Sequence, residues 1–412
     1  MHADFMKVIS RDFVNETTAT AILDRGNIGA RISTLISFTE DPAEQNLWER
    51  STNMKVLAKE DQGRHSAVEV DLERLLKRFT FCLGVPLLYG HDYLERNSLV
   101  LEDWELFSKQ AVPLLAIGIP SWIPIKSFQQ GLKARDRLHE SLVSVYRRVK
   151  QHFNDEPVEY SADMSDVSKS TLERFDVFDR HGVSINGIGQ IELSLLWAQN
   201  HNAQQLLFWF IFYIYSVPGL LESLRNEVLS SGAIATSSDN SPQVTKLDIS
   251  TLTRECVLLK SSFLETFRLT EESILFRNVT QKVTMDDGEK QHELSSGSWI
   301  SISNCLTKHH PSLYPEPHEF KPCRFIEDSK EGGKRIVSYK ALRPWGIGAG
   351  MCKGRTFAEK ELLAVAASMI TIWDIEPMDG LWKHPGFQAG ATILGSGGNV
   401  RVRMKRRDAD SI

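Results

Sequence analysis

Trp345-Gly-Ile-Gly-Ala-Gly-Met-Cys-Lys-Gly-Arg355 decides how this chain of 412 residues is read. Gly346, Gly348, Gly350 and Gly354 surround Cys352, and glycine lets the backbone fold tightly around a large flat group while the sulfur points at that group's centre. Behind the cysteine, the apolar pattern from Thr356 to Trp373 predicts a helix. Its positive N-terminal end would face the sulfur and favour the thiolate. Gly346-Ile-Gly-Ala-Gly350 also looks like half of a dinucleotide-binding turn, but that motif follows a buried strand and leads to an acidic residue about 20 positions on. Here the preceding Ser338-Tyr-Lys-Ala-Leu-Arg-Pro344 is no apolar strand, and Pro344 would end one. The remaining alternative, Cys352 as a small buried hydrophobe, is set aside by two further motifs.

The flat group that suits such a thiolate is haem, since a cysteine ligand pushes electron density onto the iron and favours O–O cleavage. In these residues the chain resembles the cytochromes P450. Trp345, Gly348, Cys352, Gly354 and Arg355 stand in the order and spacing of that family's haem loop, with Trp where Phe is usual. The resemblance makes Cys352 the axial metal ligand and Trp345, Gly346, Gly348 and Gly354 its companions in haem binding. One position departs from the pattern. Two places before the cysteine the family often carries a basic residue that touches a haem propionate, and Gly350 stands there.

A second motif lies in the helix predicted over Leu252 to Leu269, where Glu265-Thr-Phe-Arg268 puts a carboxylate and a guanidinium three apart on one face. Alone, such a pair is an ordinary solvated one, worth a few tenths of a kcal/mol. Further along comes Pro317-His-Glu-Phe-Lys-Pro-Cys-Arg-Phe325. In the P450 family the Glu and Arg of one helix meet an Arg from such a segment, so the resemblance makes Glu265, Arg268 and Arg324 a structural triad. A planar Arg fork can bridge a carboxylate bidentately.

The third motif is the run Gln190 to Trp209, which predicts a helix with a polar patch inside an apolar sequence. Polar groups so placed are costly unless paired or used. In the family this helix crosses the haem face and carries an acid followed by Thr, which delivers protons to bound dioxygen. This chain has Gln199, Asn200, His201, Asn202 and Ala203 there instead. Trp197-Ala-Gln-Asn-His-Asn202, Phe208-Trp209 and Pro344-Trp345 are similar to the branch containing cholesterol 7α-hydroxylase and prostacyclin synthase, which places an Asn near the haem; Asn202 matches it. Asn200, His201 and Asn202 are the candidate oxygen-side residues, and His201 is a candidate proton relay if its pKa lies near neutrality.

The resemblance implies a mainly α, cytochrome P450-like fold with a small β region, residues 1–412 forming a single catalytic domain without the usual N-terminal anchor and early β-sheet strands. It implies a haem-thiolate monooxygenase inserting one oxygen atom from O2 into a small lipophilic substrate, in sterol-like or secondary-metabolite biosynthesis, with NADPH-cytochrome P450 reductase as partner. Two alternatives stay open: a haem-thiolate isomerase or dehydratase acting on a peroxide without a reductase, and an inactive haem-binding protein. By resemblance the location is the cytoplasmic face of the endoplasmic reticulum, with association at the membrane surface, although no run of about 20 apolar residues provides a spanning anchor.

Composition agrees with an ordinary globular chain. A net charge of −5 argues against nucleic acid as the main partner, and five scattered cysteines fit neither a disulfide framework nor a zinc site. Helical spacing appears in Val68 to Leu87, Leu101 to Ile117 and Leu132 to Phe153. Glu156 to Val183 reads as a solvated helix and loop, Ser230 to Lys246 as a flexible surface loop, and Arg401 to Asp408 as a solvated tail. Ile274 to Val283 and Ser298 to Ser303 predict short strands around a polar turn at Asp286-Asp-Gly-Glu289, with an unpaired edge if no earlier strand joins them.

Overall fold

The computed structural model describes residues 1–58, 66–158, 164–237, 241–329, 332–390 and 392–408. Helices α1 (His2–Phe13), α2 (Glu16–Arg25) and α3 (Ile28–Ser33) come first, α2 being capped by Asn15, which accepts the Thr18 N–H. Strands β1 (Lys55–Leu57) and β2 (Ala67–Asp71) pair antiparallel. Asp71 then caps α4 (Leu72–Tyr89), accepting the Arg74 N–H at 3.0 Å. The helix expected from Val68 is therefore a strand followed by a helix: Val68 and Val70 alternate into the core, a period of two that the longer helical pattern concealed.

Next come α5 (Asp92–Arg96), α6 (Val100–Leu106) and α7 (Val112–Ala116), the last two joined by a wide π-helical turn over Phe107–Ala111, just ahead of Pro113, which has no N–H to donate. The long helices α8 (Lys126–Phe153), α9 (Lys169–Arg180) and α10 (Ile185–Ser216) build the body. Pro218 and Gly219 end α10, and α11 (Leu220–Ser230) leaves it at 106°. No single helix among the described residues is long and apolar enough to cross a membrane. The apolar run Leu206 to Tyr215 is a core segment, buried throughout.

Ser230 to Lys246 forms β3 (Ile234–Thr236) and the start of β4 (Val244–Leu247), not a structureless loop, because Val244 packs against Gly29 of α3, where an added Cβ would stand only 2.5 Å away. Residues 238–240 of that expected loop lie outside the described residues. The helix expected from Leu252 to Leu269 is interrupted at Cys256, giving α12 (Ile249–Glu255) and α13 (Val257–Thr270). The half-buried Glu227 carboxylate starts the second helix by accepting the N–H groups of Leu258 and Leu259 at 2.7 and 2.9 Å.

Strands β5 (Ile274–Asn278), β6 (Val283–Asp286), β7 (Gln291–Leu294) and β8 (Trp299–Ser303) make two pairs, β5 with β8 and β6 with β7, the latter turning at the expected Asp286–Glu289. Among the described residues β5 and β8 pair only with each other. The remaining elements are α14 (Asn304–Lys308), the pair β9 (Ile326–Asp328) and β10 (Arg335–Val337), α15 (Arg355–Ile372), β11 (Trp373–Pro377), the pair β12 (Phe387–Gln388) and β13 (Gly395–Ser396), and β14 (Arg401–Arg406).

The largest sheet runs β1-β2-β14-β11, all antiparallel. Most of the expected solvated tail is thus an inner strand. Val402 and Met404 are fully buried while Arg401 and Arg403 pair outward with Glu69 and Glu376. Glu156 to Val183 also departs from expectation. Arg174 of α9 is fully buried and its fork meets Glu192 of α10 with two bonds of 2.8 Å, while the Tyr89 hydroxyl of α4 donates to the same carboxylate at 2.9 Å. Three helices are tied at one carboxylate.

Candidate active site

The Cys352 loop owes its shape to its own backbone. The Cys352 N–H donates to the Trp345 carbonyl at 2.8 Å, and the Met351 N–H to the Gly348 carbonyl at 3.1 Å. Gly346 and Gly348 take φ of 76° and 64°, a left-handed conformation that a side chain would strain even though the space around Gly348 is open. Trp345 leans on Phe267 of α13, ring centroids 4.9 Å apart, and so couples the loop to the helix of the triad. A Cβ on Gly354 would have the Cys352 sulfur, at 3.9 Å, as its sole neighbour within 4 Å among the described residues. The residue itself is exposed.

Partial burial pushes the Cys352 thiol above its usual range, against the Gly354 N–H and the charges of Arg355 and Lys353, which pull it down. The expected thiolate stabilisation at the start of α15 is present in direction but is outweighed by burial. One basic side chain that sequence reasoning missed stands close by. Arg277 of β5 donates to the Ile347 carbonyl at 3.3 Å, and its Nη2 lies 3.6 Å from where a Cβ on Gly350 would be. An Arg inside the apolar run Ile274-Leu-Phe-Arg-Asn278 was the available signal.

Glu265, Arg268 and Arg324 meet, as expected. Glu265 accepts Arg268 Nε and Nη2 at 2.8 Å each, Arg324 Nε at 2.9 Å and the Lys321 N–H at 2.9 Å. The remaining guanidinium N–H groups hold the Lys308 carbonyl and carbonyls of the Pro315–Glu319 segment, including Pro317 at 2.6 Å from Arg268 and Pro315 at 2.7 Å from Arg324. Glu265 and Arg268 are fully buried, so the segment that leads to the loop is fastened to α13 from inside.

The three candidate oxygen-side residues do not share one environment. Asn200 is buried and spent within its helix, donating to the Leu196 carbonyl at 2.8 Å and accepting Gln204 at 3.3 Å. His201 stacks on Trp197, centroids 4.6 Å apart. Burial, with a small contribution from Lys77, pushes its pKa down to about 4, so it is neutral at physiological pH and does not titrate near neutrality as expected. Asn202 alone keeps a buried carboxamide oxygen without a protein partner. A cleft of about 680 Å³ beside the loop is walled by Trp345, Met351, Arg254, Arg343 and Arg355.

These features fit a haem: an uncovered sulfur in a glycine loop, a cation beside the position where one was missed, and a braced segment leading to the loop. The chain matches the Cytochrome P450 family model over residues 32–392. "Cytochrome P450 7B1" of Mus musculus is 30% identical over 53% of this chain and 44% of its own length. "Cytochrome P450 monooxygenase poxD" of Penicillium oxalicum is 25% identical over 73% of this chain and 57% of its own. "Cholesterol 7-alpha-monooxygenase" of Cricetulus griseus is 25% identical over 80% and 64%. The chain spans about half the length of the first two. A solved structure, "Cytochrome P450 (CYP102L1)", superimposes with a TM-score of 0.65 at 15% identity, over 98% of this chain and 81% of that one, which establishes the shared fold. Since the family match takes in the α10 patch, the triad and the Cys352 loop together, the chain belongs to the cytochrome P450 family.

Proposed function

We propose that the chain is a haem-thiolate monooxygenase, inserting one oxygen atom from O2 into an apolar polycyclic or sterol-like molecule with electrons from NADPH-cytochrome P450 reductase. The uncovered Cys352 sulfur, in a loop coupled to α13 and braced through the triad, is the observation that carries this reading. Haem bound there supplies the oxygen-activating chemistry. Cys352 would hold the iron, Trp345 would keep the loop against α13, and Arg277 would meet a propionate in place of the basic residue that Gly350 lacks.

On the opposite side, Asn202 would orient a water or substrate hydroxyl through its unpaired oxygen. Trp209 donates to the Leu394 carbonyl at 2.7 Å, holding the β12–β13 segment beside α10, where apolar contacts would help exclude water. The sterol-like class is supported by relatives named "25-hydroxycholesterol 7-alpha-hydroxylase" of Rattus norvegicus and "Cholesterol 7-alpha-monooxygenase"; fungal relatives named only as monooxygenases support the secondary-metabolite setting. Exposed Ile117, Trp122 and Ile125 between α7 and α8 support association with a membrane surface.

Turnover of the purified protein with and without reductase and NADPH tests the reading. Oxygenated product only with both is expected. Rearranged peroxide with neither would establish the isomerase alternative, and bound haem without any product would establish the inactive one.

A further inference from the structure

Lysine is almost never buried without a charge partner, because taking an ammonium group out of water is costly. Two lysines are buried among the described residues. Lys308, 3% exposed, meets the Glu271 carboxylate at 3.0 Å. Lys360 of α15, 5% exposed, makes no hydrogen bond and no ion pair among the described residues, and it acts on Asp24 of α2 without closing a contact. It lines the cleft of about 680 Å³ beside the Cys352 loop.

That cleft gathers positive charge. Its walls come from α2, α12, α13, α15 and residues 339–346, with Met351, and among the described residues they include neither Cys352 nor any residue of α10, so the cleft is separate from the face assigned to oxygen chemistry. Five cationic side chains line it against two carboxylates, Glu16 and Glu359. Glu359 is already occupied, since it binds the Lys260 ammonium at 2.6 Å and accepts the Tyr339 hydroxyl at 2.7 Å. The three arginines keep N–H groups in reserve. Arg254 donates Nε to Glu255 at 2.8 Å, Arg343 donates Nη1 to the Lys340 and Leu342 carbonyls, and Arg355 donates Nη1 to the Cys352 carbonyl at 2.9 Å, while the Nη2 of each has no partner among the described residues.

We propose that this cleft binds a small phosphorylated molecule, with its phosphoryl group at Lys360. A phosphoryl group carries enough charge and enough acceptor oxygens to meet an ammonium and a planar guanidinium fork at once. A carboxylate on the surface of a docked protein would be held at the exposed Arg254 and Arg343, whereas a small anion can pass on to the buried Lys360. The volume suits a small molecule, and Pro344, Trp345 and Met351 offer an apolar wall to whatever the phosphoryl group is attached to. Binding there needs no turnover and does not rest on the monooxygenase reading.

Calorimetric titration of the haem-loaded full chain with inorganic pyrophosphate and with ADP, at about 0.15 M chloride to screen loose surface attraction, tests the site. Saturable binding is expected, weakened on the order of tenfold in Lys360→Met and several-fold in Arg254→Gln, and unchanged in Lys133→Gln, an exposed position on α8. Tighter binding of ADP than of pyrophosphate would assign a nucleotide as the source of the phosphoryl group, and the reverse order a free oxyanion. Thermal unfolding separates this from a folding defect: without ligand, Lys360→Met should melt above the wild type because an unpaired buried charge is gone, and pyrophosphate should raise the melting temperature of the wild type alone. No binding of either ligand, equal weakening by Lys133→Gln, or a ligand-free Lys360→Met that melts no higher than the wild type would overturn the proposal. Lys360-dependent binding of polyglutamate in place of both phosphates would give the cleft to an acidic protein partner and overturn it too.

Discussion

Glu265→Gln should cost this fold roughly 3–5 kcal/mol, and the estimate follows from how many positive groups one carboxylate serves. Glu265 is fully buried and accepts four N–H groups, three of them from the guanidinium groups of Arg268 and Arg324. Glutamine keeps the shape but withdraws the charge and turns an amide donor toward donors. Both guanidinium groups then lose their carboxylate partner while fixed by carbonyls of Lys308, Pro315 and Pro317. Removing one partner from a buried pair costs about 3–5 kcal/mol, a large share of the roughly 5–15 kcal/mol that holds a typical domain together. Urea unfolding followed by tryptophan fluorescence measures the loss. Arg324→Lys is the graded companion: it keeps the charge but gives up the fork, and a cost of roughly 1.5–3 kcal/mol is expected for the charge-assisted bonds it loses. A change under about 1 kcal/mol in Glu265→Gln would refute the view that this triad fastens the loop segment.

Three further outcomes are expected. Burial raises the Glu361 pKa from the ordinary 4.5 to about 8, so the native state binds the extra proton between those values and wild-type stability falls as pH rises through that window, by roughly 1.4 kcal/mol per pH unit and about 5 kcal/mol in all; Glu361→Gln should remove that slope, and parallel urea midpoints at pH 5, 7 and 9 for the two proteins would contradict it. Arg277→Ala should weaken haem retention about tenfold through loss of one charge-assisted contact, on the order of 1.4 kcal/mol, measured by transfer of haem to apomyoglobin; an unchanged transfer rate would remove Arg277 from the site. Trp122→Ser, at a side chain 75% exposed, should reduce binding to lipid vesicles several-fold without changing stability, and equal sedimentation with vesicles would refute a membrane role for that loop.

How much of this was readable from the chain varied with how local the cause was. The Cys352 loop was readable because glycine spacing and the apolar helix behind it lie within one short stretch, and the triad because its helix pair sits at i, i+3 and its third member in a distinctive Pro-rich segment. Val68–Asp71 and Arg401–Arg406 were misread because their alternation is short and, in the second, masked by charge; the strands become evident only when they pair with each other. The break at Cys256 had no local sign, since the Glu227 carboxylate that caps the next helix comes from α11. His201 was a candidate relay on histidine's ordinary pKa, whereas in three dimensions it stacks on Trp197 and burial pushes its pKa down to about 4. Arg277 was missed for a similar reason: it acquires its meaning from a glycine on another element, Gly350.

The most direct test of the account is the reduced carbon-monoxide spectrum of the haem-reconstituted protein beside that of Cys352→Ala. The wild type should give the long-wavelength band of thiolate-ligated haem, and the variant should lose that band together with most of its bound haem. A variant that keeps both the band and the haem content would contradict the assignment of Cys352 as ligand.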